Sequence, residues 1–73
     1  MSPNLRGLKA REVIRALEKA GGLVRQGKGD HVNIKMPNGM IVTVPSARDV
    51  PIGLLRDLLK KAQLTTEEFM KYL

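Results

Sequence analysis

The stretch HVNIKMPNGMIVTVP, residues 31–45, decides the fold of this chain. Before and after its centre, every second residue is apolar: Val32, Ile34, Met36, Met40, Val42 and Val44. A period of two is typical of strands with one buried face. Proline, asparagine and glycine at positions 37–39 are turn formers. The stretch therefore predicts a β-hairpin with one apolar face.

The length of the hairpin loop sets which side chains share that face. A two-residue Asn-Gly loop would place the apolar residues of the two strands on opposite faces. A three-residue loop, with Gly39 in a left-handed bulge, pairs Met36 with Met40 and puts all the apolar residues on one face. Burial favours the longer loop. The opposite, polar face then carries His31, Asn33, Lys35 and Thr43.

Helical patterns flank the hairpin on both sides. Apolar residues recur at helical spacing over residues 9–20, where Gly21 and Gly22 end the pattern, and a short strand candidate follows at residues 23–26. After the hairpin, Pro51 suits the first turn of a second helix. The order α-β-β-β-α-α predicts an α+β sandwich of two layers, in which helices cover the apolar face of an antiparallel sheet and leave its polar face open.

The last helix has its own start signal. Thr65 and Glu68 have the spacing of a capping box, and the preceding helix is expected to end near Gln63. Leu73 and Met70 are expected to close the edge of the core. We expect residues 1–73 to form one domain, because a chain this short holds only one small core.

The charge of the chain indicates a polyanionic partner. Thirteen lysines and arginines stand against seven acidic residues, for a net charge of +6. For a small domain, this favours nucleic acid or an acidic protein as partner, and solubility alone is the plain alternative. One tyrosine, one phenylalanine and no tryptophan disfavour a surface of stacked aromatic rings.

Several classes of protein are disfavoured by composition. There is no cysteine, which suits a reducing cytoplasm, and with a single histidine and no carboxylate cluster we expect no metal site. No apolar run approaches the ~18 residues of a membrane span, so no membrane association is expected.

His31 is the only histidine, and it follows the glycine-rich residues 27–30 at the start of a strand. An imidazole at such a junction can be held rigidly, can face solvent, and exchanges protons near neutral pH. The plain alternative is an ordinary surface histidine.

Segments spread over most of the chain resemble one family. They are VRQ at 24–26 with GDH at 29–31, PNG at 37–39 with VTVP at 42–45, Pro51 and Gly53 with LR at 55–56, and LTTEEF at 64–69. In this order and spacing they resemble the HicA toxin family, also called YcfA-like messenger-RNA interferases. Asp30 stands where the family usually has serine, and Ser46 where many members carry a second histidine.

The resemblance implies a fold like that of double-stranded-RNA-binding domains. It also implies cleavage of messenger RNA without a metal or other cofactor, by a catalytic histidine that is His31 here. A HicB-like antitoxin is the implied protein partner. Asp30 either orients His31 and raises its basicity or repels the phosphate.

RNA cleavage by a neighbouring 2′-hydroxyl needs a base, an acid and stabilisation of the phosphorane. Lys28 and Lys35 are candidate RNA-binding cations, and the backbone N–H of Gly29 can approach phosphate closely. Arg25 is a further RNA-binding candidate or, alternatively, a charge that protects a strand edge. The second catalytic group stays open between Asp30, the two lysines and water.

Two other functions remain compatible with the sequence. One is a non-catalytic RNA-binding module, and the other is a domain whose basic face binds an acidic protein.

Overall fold

A computed structural model of the chain describes residues 5–73. Three helices and three strands follow in the order α1 (Ala10–Lys19), β1 (Leu23–Gln26), β2 (His31–Lys35), β3 (Ile41–Pro45), α2 (Ile52–Ala62) and α3 (Thr66–Lys71). The strands form one antiparallel sheet in the order β1-β2-β3. The predicted α+β sandwich is confirmed. No helix within residues 5–73 combines the length and apolar character needed to cross a membrane.

The hairpin has the predicted three-residue loop. Val32 pairs with Val44 and Ile34 pairs with Val42. The Met36 N–H donates to the Met40 carbonyl at 2.8 Å, and Gly39 has a φ of +87°. Because directly paired residues share a face, this register places the apolar side chains of β2 and β3 together.

The six apolar hairpin residues share one face, as predicted, but they are not equally covered: Val32 is half-buried and 44% of Met40 is exposed. It lies beside the loop, where the helical layer ends. There the Asn38 side chain donates to the Lys61 carbonyl in the last turn of α2, at 2.9 Å. The helices therefore cover the sheet up to Met36 but not beyond it.

The core lies between the sheet and the helices. Its fully buried large side chains come from every layer: Val13, Leu17, Ile34, Val42, Val44, Val50, Leu55 and Phe69. Gly22 joins α1 to the sheet, and a Cβ atom there would lie 2.6 Å from Cγ2 of Ile34. Close packing at this point holds α1 against β2.

The helix ends follow the sequence signals in most cases. Gln63 adopts a left-handed conformation and ends α2, and Thr65 and Glu68 form the predicted capping box. Pro51 precedes α2 as its N-cap instead of lying in its first turn, because its ψ of 145° is extended. Met70 is partly buried and packs against the core as expected, but Leu73 remains 42% exposed and does not close the core edge. Half-buried Tyr72, which directly precedes it, packs against the core instead.

Candidate active site

His31 begins β2 at the end of the sheet opposite the hairpin loop, and its side chain is exposed. Its N–H donates to the Lys28 carbonyl at 3.3 Å, which closes a turn over residues 28–31. A turn of this kind keeps its first and last Cα atoms within about 7 Å. The backbone of Lys28 therefore stays close to that of His31.

The loop before His31 packs tightly against β2. A Cβ atom at Gly27 would lie 2.7 Å from the His31 carbonyl oxygen and 3.4 Å from Nδ2 of Asn33. Only glycine fits at that distance. Gly29 has open space around it but a φ of +61°. Glycine is favoured there because of this left-handed backbone conformation.

Ser46 fixes the other side of the site. Its N–H and its hydroxyl both donate to the Asp30 carbonyl, at 2.6 Å and 2.8 Å. These two hydrogen bonds hold Asp30, which precedes His31, against Ser46, which follows β3. Within residues 5–73, no hydrogen bond or ion pair joins the Asp30 carboxylate to the His31 ring.

Arg25 lies on the same sheet face as His31. It pairs with Asn33, which in turn pairs with Thr43. The Thr43 hydroxyl donates to Oδ1 of Asn33 at 2.8 Å, so this row of the open face is held in place. Arg25 is a diagonal neighbour of His31, at roughly 7–8 Å between Cα atoms.

Lys35 lies on this face but farther away. It follows His31 by four residues along β2, which is about 13 Å of strand. Leu23 and Ile41 flank it in the sheet. The structure therefore brings Arg25, Lys28 and Gly29 together around His31, and it places Lys35 outside that cluster.

A shallow depression of about 240 Å³ surrounds the histidine. Its lining comes from β1, the glycine loop, β2 and the end of β3: Val24, Arg25, Gln26, Gly27, Gly29, His31, Val32 and Ser46. A larger depression of about 410 Å³ lies elsewhere, between α1 and the C-terminal residues. We take the smaller one as the candidate site, because it contains the only imidazole of the chain.

Two features of this site were not predicted. In the sequence, Ser46 was noted only as a position where many family members carry histidine. Its two hydrogen bonds to the Asp30 carbonyl could not be predicted, because they depend on β3 ending beside the glycine loop. The close packing of Gly27 likewise depends on the path of that loop. Repeated glycine before a strand was the one available signal.

No group of three or more His, Cys, Asp or Glu side chains that could hold a metal ion occurs within the described residues, 5–73.

The model of a family described as the HicA toxin of bacterial toxin–antitoxin systems matches residues 10–64, from the start of α1 to just past α2. That match defines the class of protein as a toxin of such a system. The chain belongs to the HicA toxin family, which confirms the resemblance seen in its motifs. A search of curated proteins found no match.

Proposed function

We propose that this toxin is an endoribonuclease that cleaves messenger RNA in the cytoplasm without a metal, with His31 as its catalytic residue. The observation that carries the proposal is the position of His31. Its exposed ring lines an open depression at the rim of an uncovered sheet face, with Arg25 and Lys28 nearby. A ribose-phosphate linkage can approach the ring there without any rearrangement of the core.

The proposed reaction uses the RNA's own 2′-oxygen as nucleophile. That oxygen attacks the adjacent phosphorus, the bond to the 5′-oxygen breaks, and the products are a 2′,3′-cyclic phosphate and a 5′-hydroxyl. One proton must leave the 2′-hydroxyl and one must reach the departing 5′-oxygen. A positioned imidazole accelerates such a transfer by about 10²–10⁴-fold.

Neighbouring groups would stabilise charge on the phosphorane. Arg25 and Lys28 lie close enough to His31 to face the same phosphate, and the backbone at Gly29 is open for close approach. Lys35, about 13 Å along the strand, would bind a flanking phosphate instead. These cations form the proposed RNA-binding set around the histidine.

The second proton carrier is proposed to be water. The Asp30 carboxylate has no bond to the ring, and the depression is open to solvent. One imidazole and exchanging water give slower turnover than two imidazoles would. We therefore expect modest catalysis.

The test is cleavage of a labelled RNA in EDTA by wild type and by His31→Ala. We expect the substitution to lower the rate at least about 100-fold, because it removes the proton-transfer group. Asp57→Ala, on the exposed face of α2, serves as the control and should cut like wild type. A matching DNA, or an RNA with one 2′-deoxyribose at the cut, should remain intact.

Equal cleavage by wild type and His31→Ala would remove His31 from the mechanism. Salt-sensitive binding of RNA by wild type without any cleavage would leave a non-catalytic RNA-binding module instead.

We further propose that a HicB-like antitoxin inhibits the toxin by covering the open sheet face. Leu23 and Ile41 flank Lys35 on this face and are 62% and 47% exposed. Exposed apolar side chains beside cations suit a protein partner with an apolar centre and acidic rim. Such a partner would cover both the apolar row and His31.

A further inference from the structure

The connection between β3 and α2 lies against the start of α1. Lys9 and Asp49 form an isolated antiparallel bridge, and the Val50 N–H donates to the Leu8 carbonyl at 2.9 Å. These backbone contacts hold Arg48 beside the first turn of α1. The rim of the site is thereby joined to the helical layer.

Two further depressions continue from the site along this rim. The first, of about 260 Å³, is lined by residues 9–11 and 46–49, and it shares Ser46 with the depression around His31. The second, of about 410 Å³, runs along α1 and shares Arg11 with the first. Neighbouring depressions thus share a lining residue, and we call the three together the rim track.

The rim track is strongly cationic. Lys9, Arg11 and Arg48 line its first part. Arg11, Arg15 and Lys19 follow at four-residue intervals along α1, about 6 Å of helix rise apart. Among residues 5–73, no hydrogen bond or ion pair occupies the side chains of these last three cations or of Arg48.

Two acidic side chains, Glu12 and Asp49, line the track. Glu12 accepts a hydrogen bond from the Lys9 N–H at 3.1 Å, so its charge serves the start of α1. Asp49 belongs to the backbone bridge. Half-buried Tyr72 lies beside the last cations.

We propose that the rim track binds the RNA strand on one side of the scissile linkage, through Arg48, Arg11, Arg15 and Lys19. A flexible polyanion fits a row of regularly spaced cations that begins at the catalytic depression. This inference rests on the proposed function, because it assigns the path of the same substrate. It adds a surface on the helical side of the molecule to the contacts of the open sheet face.

The experiment measures binding of single-stranded RNA of two lengths, one of four and one of about sixteen nucleotides, in a His31→Ala background that prevents cleavage. The track variant is Arg11→Gln/Arg15→Gln/Lys19→Gln. The control variant Arg56→Gln/Lys60→Gln/Lys61→Gln removes the same number of charges from exposed positions on α2. Fluorescence anisotropy at several salt concentrations gives the affinity and its salt dependence.

We expect the track variant to lose at least about ten-fold in affinity for the long RNA and little for the short one. Its slope of log K against log salt should decrease by about 2, since each lost phosphate contact removes about 0.7. The control variant should lose little affinity for RNA, and the loss should be the same for both RNA lengths. Equal losses of affinity in the two variants, or a loss of affinity that does not depend on RNA length, would overturn the proposal that the rim track binds RNA.

The outcomes separate this inference from the nuclease proposal. A length-dependent loss in a protein whose wild type never cuts RNA would support the track and overturn the nuclease. Cleavage by wild type together with unchanged RNA binding by the track variant would support the nuclease and overturn the track.

Discussion

Gly27 determines how closely the loop approaches the histidine. A Cβ atom at this position would lie 2.7 Å from the His31 carbonyl oxygen, which belongs to the backbone of β2 and cannot turn aside. The loop would have to move outward to accept any side chain. His31 and the turn that holds it would move with the loop.

We expect Gly27→Ala to destabilise the fold by about 1–3 kcal/mol and to lower RNA cleavage under conditions where the protein stays folded. Gly53→Ala is the matched control, since Gly53 lies in α2 with open space around it. That change should stabilise by about 0.5–1 kcal/mol, because alanine favours a helix. Thermal unfolding and cleavage assays measure both effects. A Gly27→Ala variant as stable and active as wild type would contradict the described packing.

Asp30 places a negative charge beside the site without a bond to the imidazole. Its carbonyl is used by Ser46, but its carboxylate is exposed. The structure therefore shows no hydrogen bond by which Asp30 orients the ring, and we propose that its carboxylate repels the phosphate.

We expect Asp30→Ser to increase RNA affinity about two- to three-fold at low salt. A unit charge about 7 Å from a phosphate contributes roughly 0.6 kcal/mol in water, and salt screens it. Asp57→Ser on α2 removes the same charge far from the site and serves as control. Decreased cleavage with Asp30→Ser would show that the carboxylate assists catalysis.

At the scale of elements, the α3 capping box couples stability to pH. The Thr65 backbone N–H donates to the Glu68 carboxylate at 3.0 Å, and the Glu68 N–H donates to the Thr65 hydroxyl at 3.0 Å. The hydrogen bond from the Thr65 backbone and, secondarily, the Thr65 side chain hold the pKa of Glu68 below its ordinary value. The folded state therefore favours the charged form of this carboxyl.

We expect Glu68→Gln to lower the melting temperature near neutral pH. Because the folded-state pKa is the lower one, the stabilisation is complete above the unfolded-state pKa and is lost as pH falls through the folded-state pKa. The difference in melting temperature between wild type and variant should therefore disappear in acid. Glu67→Gln, which changes an exposed neighbour in the same turn, is the control. A gap that stays constant with pH would contradict the coupling.

The elements show how far local sequence predicts structure. The hairpin loop and the capping box were predictable, because turn and cap residues act over a few neighbours. The exposure of Met40 was not, because it depends on where α2 ends relative to the sheet. The prediction that Leu73 lies at the core edge was wrong because it, too, depends on tertiary packing. Half-buried Tyr72 packs against the core instead.

At the scale of the whole molecule, one sheet face is buried and the other stays open. All three helices pack on the apolar side and leave His31, Arg25 and Lys35 exposed on the other side, together with Leu23 and Ile41. That face thus has one end that carries His31, the proposed catalytic residue, and one apolar end. The antitoxin proposal depends on this separation.

We expect Leu23→Asp/Ile41→Asp to weaken binding of the HicB-like antitoxin at least about ten-fold, because exposed apolar contacts at an interface become buried charges. RNA cleavage by the free toxin should change little, as both residues lie away from His31. Leu73→Asp, at another exposed leucine, is the control. Titration calorimetry measures the complex, and unchanged affinity would exclude this end of the face from the interface.

The sequence by itself determined the order of elements, the hairpin register and the identity of the candidate histidine, because alternation, turn chemistry and capping act between near neighbours. Its family motifs also indicated the toxin family that the comparison confirmed. Only the tertiary structure decided which cations surround His31, that Asp30 makes no bond to the ring, and that the connection after β3 joins the rim of the site to the start of α1. Those relations connect segments distant in the chain, and they depend on how the helical layer packs against the sheet.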